Sequence, residues 1–227
     1  MLEIGPSLMC ADLGNLERDV RELDAAGVDF YHIDVMDGSF VPNFTLGPDF
    51  VHKVRAITDK PLDLHMMVER PERYIDMFAL AGASGIAIHA ESTRNLQGTL
   101  TAIHKAGLKA GVAISPATPL DVLDYVYDVT DYVILMTVNP GFAGQRFIEP
   151  MYGKISDLAD RIRNRGMNIP VEVDGNIGRQ TIPECVRRGA TRFIGGTSAI
   201  FREGRSLAEN VRATRELFKE AVGPQEV

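Results

Sequence analysis

The apolar positions of this chain fall into short runs of strand length that recur after a common punctuation mark. A small residue or arginine followed by glycine closes five helical-looking segments, at Ala26-Gly27, Ala81-Gly82, Ala106-Gly107, Arg165-Gly166 and Arg188-Gly189. Each glycine reads as a helix stop, since only glycine enters the left-handed conformation there without steric cost. Within a few residues of each comes an apolar or β-branched run: VDFYHID, SGIAIHA, LKAGVAIS, NIPVEVD and TRFIGG. Continuous runs of this kind predict strands buried on both faces. Three more strands are expected near Glu3–Met9, Pro61–Met67 and Asp131–Val138. Helical periodicity appears at Leu13, Leu16, Val20 and Leu23 behind an Asp12 N-cap, and at Leu207, Val211, Thr214 and Phe218.

The 227 residues divide by eight into units of about 28, the size of one strand, one helix and two short loops. Strict alternation repeated eight times predicts a (β/α)8 TIM barrel of the α/β class, with an open doubly wound sheet as the alternative. No linker-like or low-complexity tract interrupts the pattern. The expectation is one catalytic domain over 1–222 and a short fraying tail at 223–227.

Composition narrows the partners. With 24 Lys+Arg against 31 Asp+Glu the net charge is −7, which argues against a nucleic-acid surface. Cys10 and Cys185 stand alone, without finger or CxxC spacing, so the chain reads as reduced and cytoplasmic. The start MLEIGPSLMCADLG carries no signal-peptide run, and no apolar stretch is long enough to span a membrane.

A barrel of this kind carries its active site at the C-terminal strand ends. Side chains i and i+2 share a strand face, so while Tyr31, Ile33 and Val35 face the helices, His32 and Asp34 point inward. The same parity turns Asp63, His65 and Met67 inward, and Glu172 and Asp174 with them. His32, Asp34, His65 and Asp174 thus converge at one rim. Two imidazoles and two carboxylates suit one divalent ion, Zn, Fe, Mn or Co, with zinc favoured. Asp63 and Glu172, deeper in the strands, read as core polar groups paired with an unseen partner. His52 and His104 read as surface residues and Asp37 as a turn residue. His89 has two readings, a residue behind the ligands or in touch with substrate, and a purely structural one. The six lysines, Lys53, Lys60, Lys105, Lys109, Lys154 and Lys219, fall in helices or before strands, which excludes Schiff-base chemistry.

Two glycine-bearing turns follow the seventh and eighth strands, Asp174-Gly175-Asn176 and Gly195-Gly196-Thr197-Ser198, where barrels commonly hold phosphate. Backbone N–H groups can approach an anion there, with Thr197 and Ser198 at the expected start of a short helix. The segment Pro140–Gln145, with Gly141 and Gly144, reads as a lid, a third phosphate contact or an ordinary long turn. Asp34 and Asp174, on opposite sides of a substrate, can take a proton from one face and return it to the other. With a divalent ion stabilising the enolate, that describes epimerisation of a ketose phosphate at C3. Met36, Met67 and Met136 lie at strand ends, as a polarizable lining around the enediolate or as core filler.

These residues sit in PSLMCADLGNL (6–16), HIDVMDGSFVPNFTLGP (32–48), DLHMMVERP (63–71), MTVNPGFAGQRF (136–147), EVDGNI (172–177) and GTSAIF (196–201). Through these motifs the chain resembles the ribulose-phosphate 3-epimerase family over essentially its whole length. The resemblance implies a metal-dependent isomerase that interconverts D-ribulose 5-phosphate and D-xylulose 5-phosphate in a pentose phosphate pathway. It implies metal ligands His32, Asp34, His65 and Asp174, with Asp34 and Asp174 as the acid–base pair. It also implies substrate contacts from Ser7, His65, Met36, Met67 and Met136, and from Gly141, Gly144, Gly175, Asn176, Gly196, Thr197 and Ser198 around the phosphate. The partners implied are a phosphorylated ketose and further copies of the chain, as a dimer or hexamer.

The sequence departs from the family where DGG is replaced by Asp174-Gly175-Asn176, a Gly-Ser pair by Thr197-Ser198, and His-Pro-Glu by His89-Ala90-Glu91. The PSLMC, PGFAGQ and GTS spellings resemble the branch that epimerises D-allulose 6-phosphate to D-fructose 6-phosphate, which is the alternative substrate. A metal-dependent phosphosugar lyase or decarboxylase and a non-catalytic phosphosugar-binding barrel are the remaining readings. The chain lacks an Asp-x-Lys-x-x-Asp pattern for the decarboxylase, and no acid or ligand is missing for the epimerase.

Overall fold

Eight parallel strands form one sheet in the order β1-β8-β7-β6-β5-β4-β3-β2, which curls into a barrel with helices outside. The structure is a computed structural model and describes residues 1–223. The strands are β1 Glu3–Pro6, β2 Tyr31–Met36, β3 Leu62–Met67, β4 Gly85–His89, β5 Lys109–Ile114, β6 Tyr132–Met136, β7 Val171–Asp174 and β8 Arg192–Gly195. The helices are α1 Leu16–Ala26, α2 Pro48–Arg55, α3 Ile75–Ala81, α4 Leu96–Lys105, α5 Met151–Asn164, α6 Ile182–Arg187 and α7 Leu207–Val222. The barrel closes between β1 and β2: Ile4 N donates to Asp29 Oδ2 at 2.7 Å, Asp29 N donates to Ile4 O at 3.0 Å, and Ser7 bridges His32. No helix among the described residues is long and apolar enough to cross a membrane. The expected tail 223–227 lies, from residue 224 on, outside the described residues.

All five helix-stopping glycines have positive φ, from 66° at Gly166 to 104° at Gly82, as their positions require. Four local expectations change. β1 ends at Pro6 rather than Met9, and Leu8–Cys10 winds into a 3-10 turn. Asp12 caps the 3-10 turn Leu13–Asn15 instead of α1, leaving Leu13 55% exposed rather than on the buried stripe. The helix expected after β5 is replaced by two 3-10 turns, Leu120–Leu123 and Tyr127–Val129. Pro116 and Pro119 remove backbone donors there, and three aspartates and three valines between 121 and 129 are weak helix formers. The segment after β8 is a hydrogen-bonded turn, with Ala199, Ile200 and Phe201 N–H all on Gly196 O, and not a short helix.

Between sheet and helices lies an apolar layer built from the outward strand residues, Ile33, Leu64, Ile86, Val112, Val133, Val173 and Phe193 among them. Inside the barrel the lower level is polar. Arg192, pointing inward from β8, is the partner of the deep carboxylates: Nη1 lies 2.9 Å from Glu172 Oε2 and Nη2 3.1 Å from Asp63 Oδ2. Tyr132 Oη donates to the other oxygen of Asp63. The guanidinium stacks between Phe30, 4.0 Å from the ring centre, and Tyr132, at 4.9 Å. Two inward glycines make room for these rings. A Cβ on Gly5 would stand 2.2 Å from Phe30 Cε2, and one on Gly111 2.4 Å from Tyr132 Cζ.

Removing the guanidinium leaves Glu172 and Asp63 facing each other in a buried space. Arg192→Met is expected to lower unfolding free energy by about 3–5 kcal/mol, read from denaturant midpoints; a loss within 1 kcal/mol would mean that Arg192 does not carry this charge balance.

Candidate metal centre and phosphate cleft

The lower ionic layer supports the floor of a cleft at the C-terminal strand ends. His32 and Asp34 leave β2 two residues apart, and the β2–β3 register sets Asp34 beside His65. Asp174 ends β7 opposite Met136 of β6. Its main chain is fixed by Thr137, whose N–H donates to Asp174 O at 2.7 Å and whose hydroxyl donates to the same oxygen at 2.9 Å.

Four ligand atoms, one each from His32, Asp34, His65 and Asp174, lie within 4.8 Å of one another. His32 Nε2 is 3.4 Å from Asp34 Oδ1 and 3.7 Å from Asp174 Oδ2; His65 Nδ1 is 3.4 Å and 3.5 Å from the same two oxygens. An ion bonded at about 2.0–2.2 Å holds tetrahedral neighbours about 3.3–3.6 Å apart. His32 Nε2 and His65 Nδ1 are buried, and neither has a hydrogen-bond partner among the described residues. Two orphaned imidazole nitrogens at ligand spacing from two carboxylates fit a divalent cation.

The electrostatics agree. Burial opposes charge on His32, but Asp34, Glu172 and Asp174 outweigh it and hold its pKa well above the usual imidazole value. Burial likewise opposes charge on His65, and Asp174 and Asp34 raise its pKa. Burial would raise the Asp34 pKa, yet the two imidazoles pull it far below the usual carboxylate range. The site attracts positive charge. Asp34 Oδ2 also accepts a 2.6 Å hydrogen bond from Ser7 Oγ, which fixes the carboxylate plane.

Above the four opens a cleft at the C-terminal strand ends, into which Asp34 and Asp174 both face. Ser7, Met36, Met67 and Met136 line it, together with Gly141, Gly144, Gly175, Asn176, Gly196, Thr197 and Ser198. His32 and His65 lie fully buried beneath it. Gly175 has φ +117°, and a Cβ there would stand 2.5 Å from Val138 Cγ2. Asn176, where the resemblance expects glycine, keeps the left-handed conformation at φ 53°, which asparagine tolerates better than other side chains. It accepts a 2.8 Å hydrogen bond from Ser198 Oγ, tying the β7 and β8 loops together. The 140–147 loop is pinned from two sides: Asn43 Nδ2 donates to Gly141 O at 2.8 Å, and Gln145 Nε2 donates to Asn139 O at 2.6 Å.

Cys10 lines the cleft, but burial and the Asp34 charge push its thiol up to about 11, so it stays protonated. Arg146, Arg179 and Arg202 line a second cleft that shares Asn176 and Ser198, and they carry positive charge to the outside of the glycine-bearing loops. Their positions just past the glycine motifs were the available signal. His52 and His104 are exposed, and His104 Nε2 faces Asp131 at 2.8 Å. Asp37 is a turn residue that accepts from Ser39, Phe40 and Glu69 N–H. His89 is fully buried behind His65 and does not line the cleft.

Fold and site together define a (β/α)8 barrel with a His/Asp cluster that could hold a metal ion under a glycine-lined cleft. Residues 3–201 match the model of the ribulose-phosphate 3 epimerase family, and the chain belongs to that family of carbohydrate isomerases. A ribulose-phosphate 3-epimerase from Bacillus subtilis is 42% identical over 209 residues, covering 92% of this chain and 96% of that protein. One from Escherichia coli K12 is 44% identical over 200 residues, covering 87% and 88%. Among solved structures, KGPDC from Streptococcus mutans shares the fold with a TM-score of 0.71 at 17% identity, covering 98% of this chain and 99% of that one.

Metal binding to the native state alone raises stability with metal concentration. At zinc a hundredfold above its Kd the unfolding free energy is expected to rise by about 2.7 kcal/mol, with the dependence abolished in His65→Ala. Because protons compete for imidazoles whose pKa values are raised, zinc affinity should keep climbing as pH rises above the ordinary imidazole range. Thermal melts across a zinc series at several pH values check both; melting temperatures independent of zinc in the wild type would contradict the site.

Proposed function

We propose that the protein interconverts D-ribulose 5-phosphate and D-xylulose 5-phosphate by moving a proton at C3 between Asp34 and Asp174. The observation that carries this reading is that these two carboxylates approach the same pair of imidazoles from β2 and β7 and both line the cleft. The curated relatives, each named ribulose-phosphate 3-epimerase, support the pentulose substrate.

In this reading His32, Asp34, His65 and Asp174 hold one divalent ion, with zinc the best match to two nitrogens and two oxygens at the observed spacing. The ion, when bound, supplies Lewis acidity that stabilises negative charge on the substrate's carbonyl oxygen. One carboxylate takes the C3 proton and the other returns a proton to the opposite face of the same carbon; the roles exchange with the direction of reaction. Ser7 holds Asp34 by its Oδ2 throughout, so the acid presents a fixed oxygen to the substrate. Met36, Met67 and Met136 exclude water from the reacting carbon with polarizable surface.

At the far end the N–H groups and hydroxyls of the loops at Gly144, Gly175–Asn176 and Gly196–Ser198 hold the phosphate. Arg146, Arg179 and Arg202 add a local positive field to a chain of net charge −7. The proposal includes a homo-oligomer, a dimer or hexamer, with which exposed Met77 and Leu80 on α3 are consistent. Nucleic acid and membrane have no part in it.

Turnover of D-ribulose 5-phosphate and D-allulose 6-phosphate by metal-loaded protein, followed by NMR in deuterated water, tests the reading. The pentulose is expected to react faster, with deuterium entering at C3. Asp174→Asn at matched metal content should lose at least about 10²–10⁴ of the rate. Faster turnover of the hexulose phosphate would move the substrate to the alternative branch, and a near wild-type rate in Asp174→Asn would sink the two-acid mechanism.

A further inference from the structure

The β4 motif His89-Ala90-Glu91 takes no part in the reaction described above, yet it forms a chain of contacts ending on a metal ligand. His65 Nε2 lies 2.9 Å from His89 Nε2. His89 Nδ1 lies 3.1 Å from Glu91 Oε2. Glu91 Oε1 in turn accepts from Ser115 N at 3.0 Å and from the Thr118 hydroxyl. The loop that carries these donors is braced by Lys154, whose Nζ donates to Ser115 O at 2.9 Å and Pro116 O at 3.1 Å. Both imidazoles are fully buried, and Phe40 covers the outer one, with ring centres 4.7 Å apart.

We propose that Glu91 and His89 are positioning residues that lock His65 in its Nε2–H tautomer, so that Nδ1 always presents a lone pair to the metal centre. The proposal rests on the metal reading above and extends it to the residues behind the ligand. A contact between two ring nitrogens allows either ring to be the donor, and the direction is set at the far end. An ionised carboxylate only accepts, so His89 Nδ1 carries a hydrogen and donates it to Glu91. A neutral His89 then has only a lone pair left at Nε2, and it accepts from His65 Nε2–H. The tautomer of His65 follows: its remaining nitrogen, Nδ1, is unprotonated and faces Asp34 and Asp174. Reversing the direction would place an N–H at the centre of the ligand cluster.

Two features support this order. The His89 ring is fully buried between Phe40 and His65, with ring centres 4.7 and 5.0 Å away, where a second ring proton would be a buried charge and the neutral ring is favoured. The Ser115 hydroxyl, which might instead donate to His89 Nδ1, is farther away, at 3.4 Å. The other metal imidazole lacks a comparable relay. His32 Nδ1 meets Glu172 Oε1 only at 3.5 Å, with no hydrogen bond formed, and that carboxylate is already engaged by Arg192. The two histidine ligands are therefore supported by different means, His32 by the core ion cluster and His65 by a chain that reaches the surface at Glu91.

The test measures zinc affinity by competition with a chromophoric chelator, beside thermal unfolding of the metal-free proteins. His89→Leu removes the acceptor and should weaken zinc binding about 10–100-fold, the range typical of lost outer-shell partners. His89→Gln, whose amide oxygen accepts the same Nε2–H, should recover most of that loss, which a mere packing role would not produce. Glu91→Leu, at the surface end of the relay, should weaken binding in the same direction and gives an independent reading where His89→Leu folds poorly. Wild-type affinity in folded His89→Leu, or equal weakening in His89→Leu and His89→Gln, would overturn the relay and leave the metal site standing. Failure of the wild-type protein to bind zinc would overturn the metal reading and the relay together.

Discussion

Negative charge buried inside the barrel is the constraint from which the rest of the structure follows. Asp34, Asp63 and Glu172 are buried and Asp174 is nearly so, all within one strand-lined space. Charges taken out of water at this density are tolerated only when paired. The protein answers at two levels. At the lower level Arg192 neutralises Asp63 and Glu172 through separate nitrogens. At the upper level no arginine or lysine among the described residues pairs with Asp34 or Asp174, and the positive charge falls to two imidazoles and the cation they can hold.

Each level dictates its surroundings. Arg192 needs faces to stack on, so Phe30 and Tyr132 turn inward, and Gly5 and Gly111 surrender their side chains to make space. Competition between neighbouring acids is visible at Asp63, where burial and then the Glu172 charge raise the pKa to about 6. The upper level needs imidazoles held in one orientation, and packing alone does not choose between ring nitrogens. In the proposed relay the chain through His89 and Glu91 makes that selection for His65, while Ser7 holds the Asp34 carboxylate. With a divalent ion held there, as proposed, a net-negative protein would present one local positive region, the ion together with the backbone amides of the glycine-bearing loops.

Much of this was legible because strand parity is strict. One alternation rule sent His32, Asp34, His65 and Asp174 inward, and the glycine punctuation gave the eight-fold repeat. The same rule applied to β8 would have turned Arg192 inward with Ile194, but a lone arginine at the start of a strand looks like a solvated end residue. Parity also places His89 inside without saying which neighbour it meets, because cross-barrel contacts join residues far apart in sequence. Turns were the least legible. Whether Asp12 caps an α-helix or a 3-10 turn, and whether the segment after β5 winds fully, depends on differences of about 1 kcal/mol that tertiary packing overrides.

The central claim, that four side chains from three strands form one metal centre, is tested most directly by anomalous diffraction at the metal absorption edge from crystals of zinc-loaded protein. A single strong peak is expected at bonding distance from His32 Nε2, Asp34 Oδ1, His65 Nδ1 and Asp174 Oδ2 together. A peak elsewhere on the molecule, or one bonded to only one of the two imidazoles, would contradict it.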